Sequence, residues 1–311
     1  MTITDTLQRG AGWADRRARG RISLTGPDAP AFLHALVSND ITRLSPGEGC
    51  YATYLTPQGR MIADMRVYHR GDRLILDVAP GVAPALAAKL DLLIFSEDVR
   101  VTDESASIAQ ISVIGGGAAD ALASVETDLQ VGRSDRAWIA STDDAPVPSF
   151  DIFMPAADYD ATVARLNGAG AVPLAADVVE GLRIEAGRPA FGVDMTTETI
   201  PLEAGLLDRA ISTTKGCYVG QEVVIRILHR GGGRVARRLV RLVFDEGARA
   251  VPAIGAPILI DGREAGRITS AAQSPISGCV IALGYMQRDD AEAGRSVTVD
   301  GARAEIVSLA G

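Results

Sequence analysis

The segment of this 311-residue chain richest in reactive groups is Thr214-Lys-Gly-Cys-Tyr-Val-Gly-Gln-Glu222. Cys217 lies two residues from Lys215, one of only two lysines against 29 arginines. An ammonium near a thiol favours the thiolate, the nucleophilic and metal-ligating form. Gly216 and Gly220 bracket Cys-Tyr-Val and permit backbone shapes that expose the sulfur. Gln221 and Glu222 add polar groups where a buried strand would not carry them. No histidine adjoins Cys217 in sequence, so a base would come from His229 or from elsewhere. The same cysteine also fits as a small core hydrophobe, and the segment alone leaves both readings open.

Gly181 to Leu206 is the second dense segment. Pro189, Gly192, Pro201 and Gly205 follow a helical stretch, which implies an ordered, irregular loop. Within it Glu203 stands between Leu202 and Ala204. A carboxylate there either caps a helix or accepts paired N–H donors, such as one edge of a heterocycle. Val223 to Phe244 has no acidic residue and carries Arg226, Arg230, Arg234, Arg237, Arg238 and Arg241. With a net charge of −8 overall, the rest of the chain bears about −14, so the field is dipolar. The strip suits an anionic ligand, or a strand pair whose arginines meet carboxylates elsewhere. The amino-terminal arginines (Arg9, Arg16, Arg17, Arg19, Arg21) are expected on a solvated face. Val113 to Asp120 resembles a phosphate-binding glycine loop, but Asp120 would repel a pyrophosphate; a tight strand–helix turn is expected.

Composition bounds the rest. With 47% hydrophobic and 23% charged residues the chain is neither disordered nor a disulfide scaffold. Cys50, Cys217 and Cys279 are odd in number and far apart, pointing to a reducing compartment. Three cysteines and three histidines so scattered supply no four-ligand metal cluster, so no resident metal is expected. The start has no apolar leader and no run approaches a membrane span, so a cytoplasmic protein without membrane contact is expected. The acidic total argues against direct nucleic-acid binding.

These groups must be positioned by mixed elements. Strands are expected at Arg21 to Leu24, Arg73 to Val78, Val99 to Thr102, Ala109 to Ile114 and Phe150 to Met154. A hairpin joins Cys50–Leu55 to Met61–Tyr68 through Thr56-Pro-Gln-Gly59. Helices are expected from Ala29 to Leu36 with Asp28 as N-cap, Val82 to Leu93, from Ala118, Tyr159 to Ala169, and Ala175 to Ala186 ended by Gly187. Hairpins among alternating elements imply α+β rather than a doubly wound sheet. From about Val235, short β-runs separated by Gly and Asp turns imply a small antiparallel barrel, with Gly231–Gly233 as hinge. The domains are therefore expected at 1–234 and 235–311.

Taken together, Lys215-Gly-Cys-Tyr-Val-Gly-Gln-Glu222 resembles the signature of the YgfZ family of folate-dependent iron–sulfur cluster assembly or repair proteins. Arg183 to Leu206 is similar to a region shared with that family's relative, the glycine cleavage T-protein (aminomethyltransferase). Leu24-Thr-Gly-Pro-Asp28 with Asn39-Asp40, and Leu55-Thr-Pro-Gln-Gly-Arg-Met-Ile-Ala-Asp64, match the amino-terminal patterns. The resemblance implies a GcvT-like three-lobed arrangement: two interleaved mixed α/β lobes, then a small C-terminal antiparallel β-barrel. It implies tetrahydrofolate, or a one-carbon derivative, in a central cavity. Glu203 would bind the pterin, with Tyr218, Gln221 and Arg226 beside the cofactor, and the arginine strip would receive the glutamate tail. Cys217 would be the functional thiol, with Lys215 assisting it. Asp64 matches the second of the T-protein's paired acids, while Ala63 replaces the first.

The function so implied is a tetrahydrofolate-binding factor that assists assembly or repair of iron–sulfur clusters in client enzymes. Its partners would be folate and iron–sulfur client or assembly proteins. Two alternatives stand beside it. One is a tetrahydrofolate-dependent, aminomethyltransferase-like one-carbon transferase, with Asp64 guiding proton transfer. The other is a tRNA-associated module acting through the arginine strip, although tRNA-modification defects can also arise through iron–sulfur enzymes. Whether the chain is itself an enzyme is left open by its sequence.

Overall fold

The computed structural model describes residues 2–129, 137–230 and 232–309. Helix α1 (Ile3–Arg9) is fixed by a capping box in which Thr2 and Asp5 bond reciprocally. Then follow β1 (Gly12–Asp15), β2 (Gly20–Thr25), α2 (Ala29–Leu36), β3 (Gly49–Leu55), β4 (Met61–Arg70), β5 (Arg73–Val78), α3 (Ala83–Asp91) and β6 (Arg100–Asp103). Next come β7 (Ile108–Ile114), α4 (Ala118–Leu129), β8 (Trp138–Thr142), β9 (Ser149–Pro155), α5 (Tyr159–Gly168), a short β10 (Val172–Pro173) and α6 (Ala176–Glu185).

The strands form two five-stranded sheets, ordered β10-β1-β7-β9-β8 and β3-β4-β5-β2-β6. The chain leaves the first sheet after β1, builds the whole second sheet, and returns. The lobes are thereby interleaved, as the resemblance implied. Each sheet buries one face under its helices: Leu33, Leu86 and Leu90 pack on Leu24, Val67 and Leu76, while Leu122, Val125 and Leu166 pack on Ile111, Val113 and Ile152. The sheets also meet each other through Tyr68 and Ile75 on one side and Ile108, Trp138 and Phe153 on the other. Trp138 and Phe153 stack with centroids 4.5 Å apart.

Two local expectations change. Asp28 holds the N-cap position of α2, but its carboxylate makes no capping bond and instead accepts from the Asp98 N–H at 2.8 Å. Neither α1 nor β8 was anticipated, since neither short segment has a clean period. The glycines after β7 are a packed turn: a Cβ on Gly116 would stand 2.2 Å from the Gln8 carbonyl oxygen. They let α1 lie against the β7–α4 connection.

After α6, an irregular stretch carries α7 (Leu207–Ala210) and α8 (Gln221–Ile225) to the barrel. The barrel strands are β11 (Arg237–Phe244), β12 (Pro257–Ile260), β13 (Arg263–Gln273), β14 (Val280–Gln287), β15 (Ser296–Val299) and β16 (Ala302–Leu309). They close antiparallel in the order β11-β14-β13-β12-β15-β16. Of the expected hinge, Gly231 lies outside the described residues, while Gly232 and Gly233 have φ of +58° and +73°. Ionic and hydroxyl contacts seat the barrel on α6 and its following loop. Arg183 pairs with buried Asp194 at 2.7 Å, and Asp194 accepts from Thr269 and Ser270 at 2.5 and 2.6 Å.

The turn of the β3–β4 hairpin and the loop before α8 interlock through two glycines. A Cβ on Gly220 (φ +83°) would stand 2.5 Å from the Thr56 carbonyl oxygen, and one on Gly59 would stand 2.8 Å from Val223 Cβ. Positive φ alone costs a side chain about 1–2 kcal/mol. Gly220→Ala should therefore lower the thermal midpoint by several degrees. Gly216→Ala, which adds its methyl to open space, should change it little; circular dichroism melts check both.

Candidate functional site

Strand β4 sets out the central site by its two-residue period. Ala63, Met65 and Val67 face the hydrophobic core of the second sheet. Asp64, Arg66 and Tyr68 point the other way, toward the first sheet. Asp64 lines an inner chamber of about 210 Å³, Tyr68 an outer one of about 630 Å³, and Arg66 both. Tyr51, directly across the ladder from Arg66, also lines both.

The inner chamber is walled by arginines: Arg16, Arg19, Arg66, Arg183, Arg188 and Arg209. Carboxylates from distant elements answer them. Arg19 meets buried Asp77 at 2.7 Å and Arg66 meets Asp144 at 2.6 Å. Burial works to raise the Asp144 pKa, but Arg66, Arg19, Arg16 and Arg209 outweigh it and bring the carboxyl down to about 2. Asp64 behaves oppositely. Removal from water raises its pKa against the Tyr51 hydrogen bond and the Arg19 charge, which lower it. The Tyr51 hydroxyl donates to Asp64 Oδ2 at 2.5 Å, and the Arg209 guanidinium stacks over the Tyr51 ring 4.9 Å from its centroid. A carboxyl drawn toward neutrality in a cationic chamber is suited to taking and returning a proton.

Lys215 is placed otherwise than its sequence neighbours implied. It is buried, and its Nζ donates to the carbonyls of His34, Val37 and Asn39 at 2.5, 2.6 and 3.1 Å. It thus ties the segment to the C-terminal end of α2, where carbonyls lack helical partners. Its ammonium lies 5.1 Å from the Tyr218 ring centroid, and burial draws its pKa down to about 8. The thiol influenced by this charge is Cys50, which burial nonetheless pushes up to about 12. Lys215 is an anchor, in place of the expected thiol-activating role. Cys217 is exposed and free, flanked by exposed Gly216 and buried Tyr218.

The remaining expected residues fall elsewhere. The Glu203 carboxylate accepts from Arg237 Nε at 3.0 Å, and its backbone carbonyl accepts from the Leu239 N–H at 2.8 Å. Glu203 therefore sits on the seam between core and barrel, and Asp64 lines a chamber whose wall does not include it. Arg237 also stacks on Tyr285, and Arg241 donates to the Glu185 carbonyl, so part of the arginine strip is spent on the seam. Gln221 is half-buried at the start of α8 and Arg226 is exposed at its end. The expectation of a solvated amino-terminal arginine face fails at three positions. Arg16 and Arg19 line the chamber, and Arg21 is fully buried, donating to the carbonyls of Arg16, Arg17 and Ser105. Among the described residues no group of His, Cys, Asp and Glu could hold a metal, and no helix is long and apolar enough to cross a membrane.

This architecture is found in known proteins. Residues 4–145 match the GCVT N-terminal domain, and residues 237–308 match the glycine cleavage T-protein C-terminal barrel domain. The chain is 31% identical over 315 residues to an aminomethyltransferase of Saccharopolyspora erythraea, spanning 95% of this chain and 84% of that protein. With an aminomethyltransferase of Rubrobacter xylanophilus it shares 29% identity over 298 residues, 91% of this chain and 77% of that one. The crystal structure of glycine cleavage system aminomethyltransferase T from Bartonella henselae superposes with a TM-score of 0.86, covering 99% of this chain and 88% of that one at 22% identity. The chain belongs to the GcvT-like aminomethyltransferase family, with its mixed α/β lobes and closed C-terminal barrel.

Two outcomes test the site. Because the folded pKa of Asp64 is raised, its stabilising contribution is present at acid pH and lost as pH rises through that value. Asp64→Asn should therefore melt higher than wild type near pH 7.5, with the gain shrinking toward pH 4. Lys215→Met leaves three carbonyls without their donor and should cost about 1–3 kcal/mol in denaturant unfolding.

Proposed function

We propose that this protein binds tetrahydrofolate in its central chambers and assists the assembly or repair of iron–sulfur clusters in client enzymes, with Cys217 as the working thiol. The observation that carries the proposal is the construction of the signature loop. Lys215 and Tyr218 are buried anchors and Gly220 locks onto the hairpin turn, yet Cys217 between them is exposed. The loop is built to present a sulfur outward. A single thiol cannot hold a cluster, so Cys217 acts on a partner's cluster or on a sulfur species in transit.

The chambers suit folate by size and charge. The inner one, about 210 Å³, takes only one end of such a molecule; with the outer, about 630 Å³, the space falls in the usual range for ligands of that size. Arg66 and Arg209 are shared by both chambers and offer fixed cations to a carboxylate tail. Tetrahydrofolate, when bound, supplies a carrier for a one-carbon unit. Asp64, which accepts a hydrogen bond from the Tyr51 hydroxyl, is the residue that would exchange a proton with a ligand nitrogen. That pair also favours a second reading, a one-carbon transferase like the family's aminomethyltransferases. The tRNA-associated reading has weaker support, since Arg237 is engaged by Glu203.

In a strain depending on this protein, Cys217→Ala should reduce cluster-dependent enzyme activities severalfold while leaving folate affinity, measured by calorimetry, as in wild type. Full activity in that strain would overturn the cluster reading. Formation of methylenetetrahydrofolate from an aminomethyl donor, surviving Cys217→Ala and lost in Asp64→Asn, would establish the transferase instead.

A further inference from the structure

Asp143 is the convergence point of three cations. Its carboxylate meets Arg66 at 3.2 Å, Arg188 at 3.0 Å and Arg209 at 2.8 Å. The three arginine side chains are 12–22% exposed, but that of Asp143 is 50% exposed. The other carboxylates answering chamber arginines include Asp77 and Asp194, whose side chains are 1% and 0% exposed. Asp144 and Glu180 are 36% and 43% exposed, so Asp143 is the most accessible of these carboxylates, and it is the one that meets three arginines. Its neighbour Asp144 meets the same Arg66 Nη2 at 2.6 Å.

The position of this knot matters as much as its charge. Tyr51, Arg66 and Arg209 line both chambers, with Asp143 on the outer wall and Asp144 on the inner. The Asp143 bridge is thus the partition between the space that holds Asp64 and the larger space open to solvent. Three arginines against Asp143 and Asp144 leave the knot at formal +1. A ligand bringing two carboxylates in place of one aspartate would neutralise it. The exchange needs no loop opening, because Arg188 Nε also donates to the Asp143 backbone carbonyl at 3.0 Å. With the main chain so held, a side-chain rotation suffices to vacate the guanidinium groups.

We infer that Arg66, Arg188 and Arg209 form a dicarboxylate-binding subsite in which Asp143 is an internal stand-in, displaced when ligand carboxylates enter and join the two chambers. The glutamate tail of a folate and a free dicarboxylate share this chemistry. The inference rests on the proposed folate binding only for which of them is the natural occupant.

The test uses the full-length protein, Asp143→Ala, and Asp143→Asn should the first variant fold poorly. Glutarate, titrated at constant ionic strength, should bind the variant at least tenfold more tightly than wild type and raise its melting temperature. Sodium chloride at matched ionic strength should not. Adding Arg209→Gln should abolish the gain. Tetrahydrofolate should likewise bind the Asp143 variant about tenfold more tightly, whereas tail-less tetrahydropterin should bind both alike. A gain for glutarate with no folate binding in any form would keep the subsite and remove folate as its occupant. Folate bound with equal affinity by wild type and variant, with no gain for glutarate, would overturn the subsite and leave folate binding intact. A gain that survives Arg209→Gln would also overturn it.

Discussion

An arginine held between two β-sheets must find carboxylates or carbonyls, because an unpaired cation away from water is too costly to keep. That requirement organises this protein. Arg19 reaches Asp77 on β5, Arg66 reaches Asp143 and Asp144 beyond β8, Arg183 reaches Asp194 below the barrel, and Arg237 reaches Glu203. All but Arg183–Asp194 join residues more than thirty apart in sequence. The interleaved lobes supply opposite charges to one seam, and the barrel docks through further pairs of the same kind. Where the sheets meet through Tyr68, Trp138 and Phe153 the seam is a dry aromatic contact. Where they meet through arginines it is polar space with a shape, and that space is the candidate site.

Lys215 and Arg21 satisfy the same requirement with backbone. Each directs its charge at carbonyl groups, and each fixes a segment that other chemistry depends on. Arg21 holds the turn carrying Arg16 and Arg19 to the chamber wall. Lys215 holds the loop that presents Cys217. Lys215 therefore matters, but through packing and not through nucleophile activation. Proximity in sequence placed Lys215 beside Cys217, whereas the fold turned the ammonium toward α2 and Cys50.

What could be read from sequence follows the range of the interaction that sets it. The hairpin, the helices α2, α3, α5 and α6, and the six barrel strands rest on local periodicity and turn chemistry, and their positions agree with the expectation to within a few residues. The T-protein-like patterns carried the architecture. The arginine chamber was not legible, since its charges come from the β1–β2 turn, β4, α6 with the loop after it, and α7, and gain meaning only when the sheets face each other. One signal was available in Ala63-Asp-Met-Arg-Val-Tyr68, whose strict alternation places an acid, a base and a phenol on one side of a strand. The amino-terminal arginines misled for the opposite reason: a dense run of like charge looks solvated until its counterions arrive from residues 77 to 151.

The hairpin links the two candidate sites without merging them. Its turn locks into the Cys217 loop through Gly59 and Gly220, while Asp64 is the fourth residue of β4, roughly 10 Å along the strand from its first residue at its usual rise. The inner chamber and the Cys217 loop therefore both bear on the same hairpin. If ligand entry shifts Arg66 and Tyr51, the displacement is imposed on the same pair of strands whose turn seats the thiol loop. Coupling between the inner chamber and the thiol loop would then be carried by strand geometry. Such coupling requires no direct approach of the sulfur to the cofactor, which the burial of Lys215 and Tyr218 beside Cys217 already opposes.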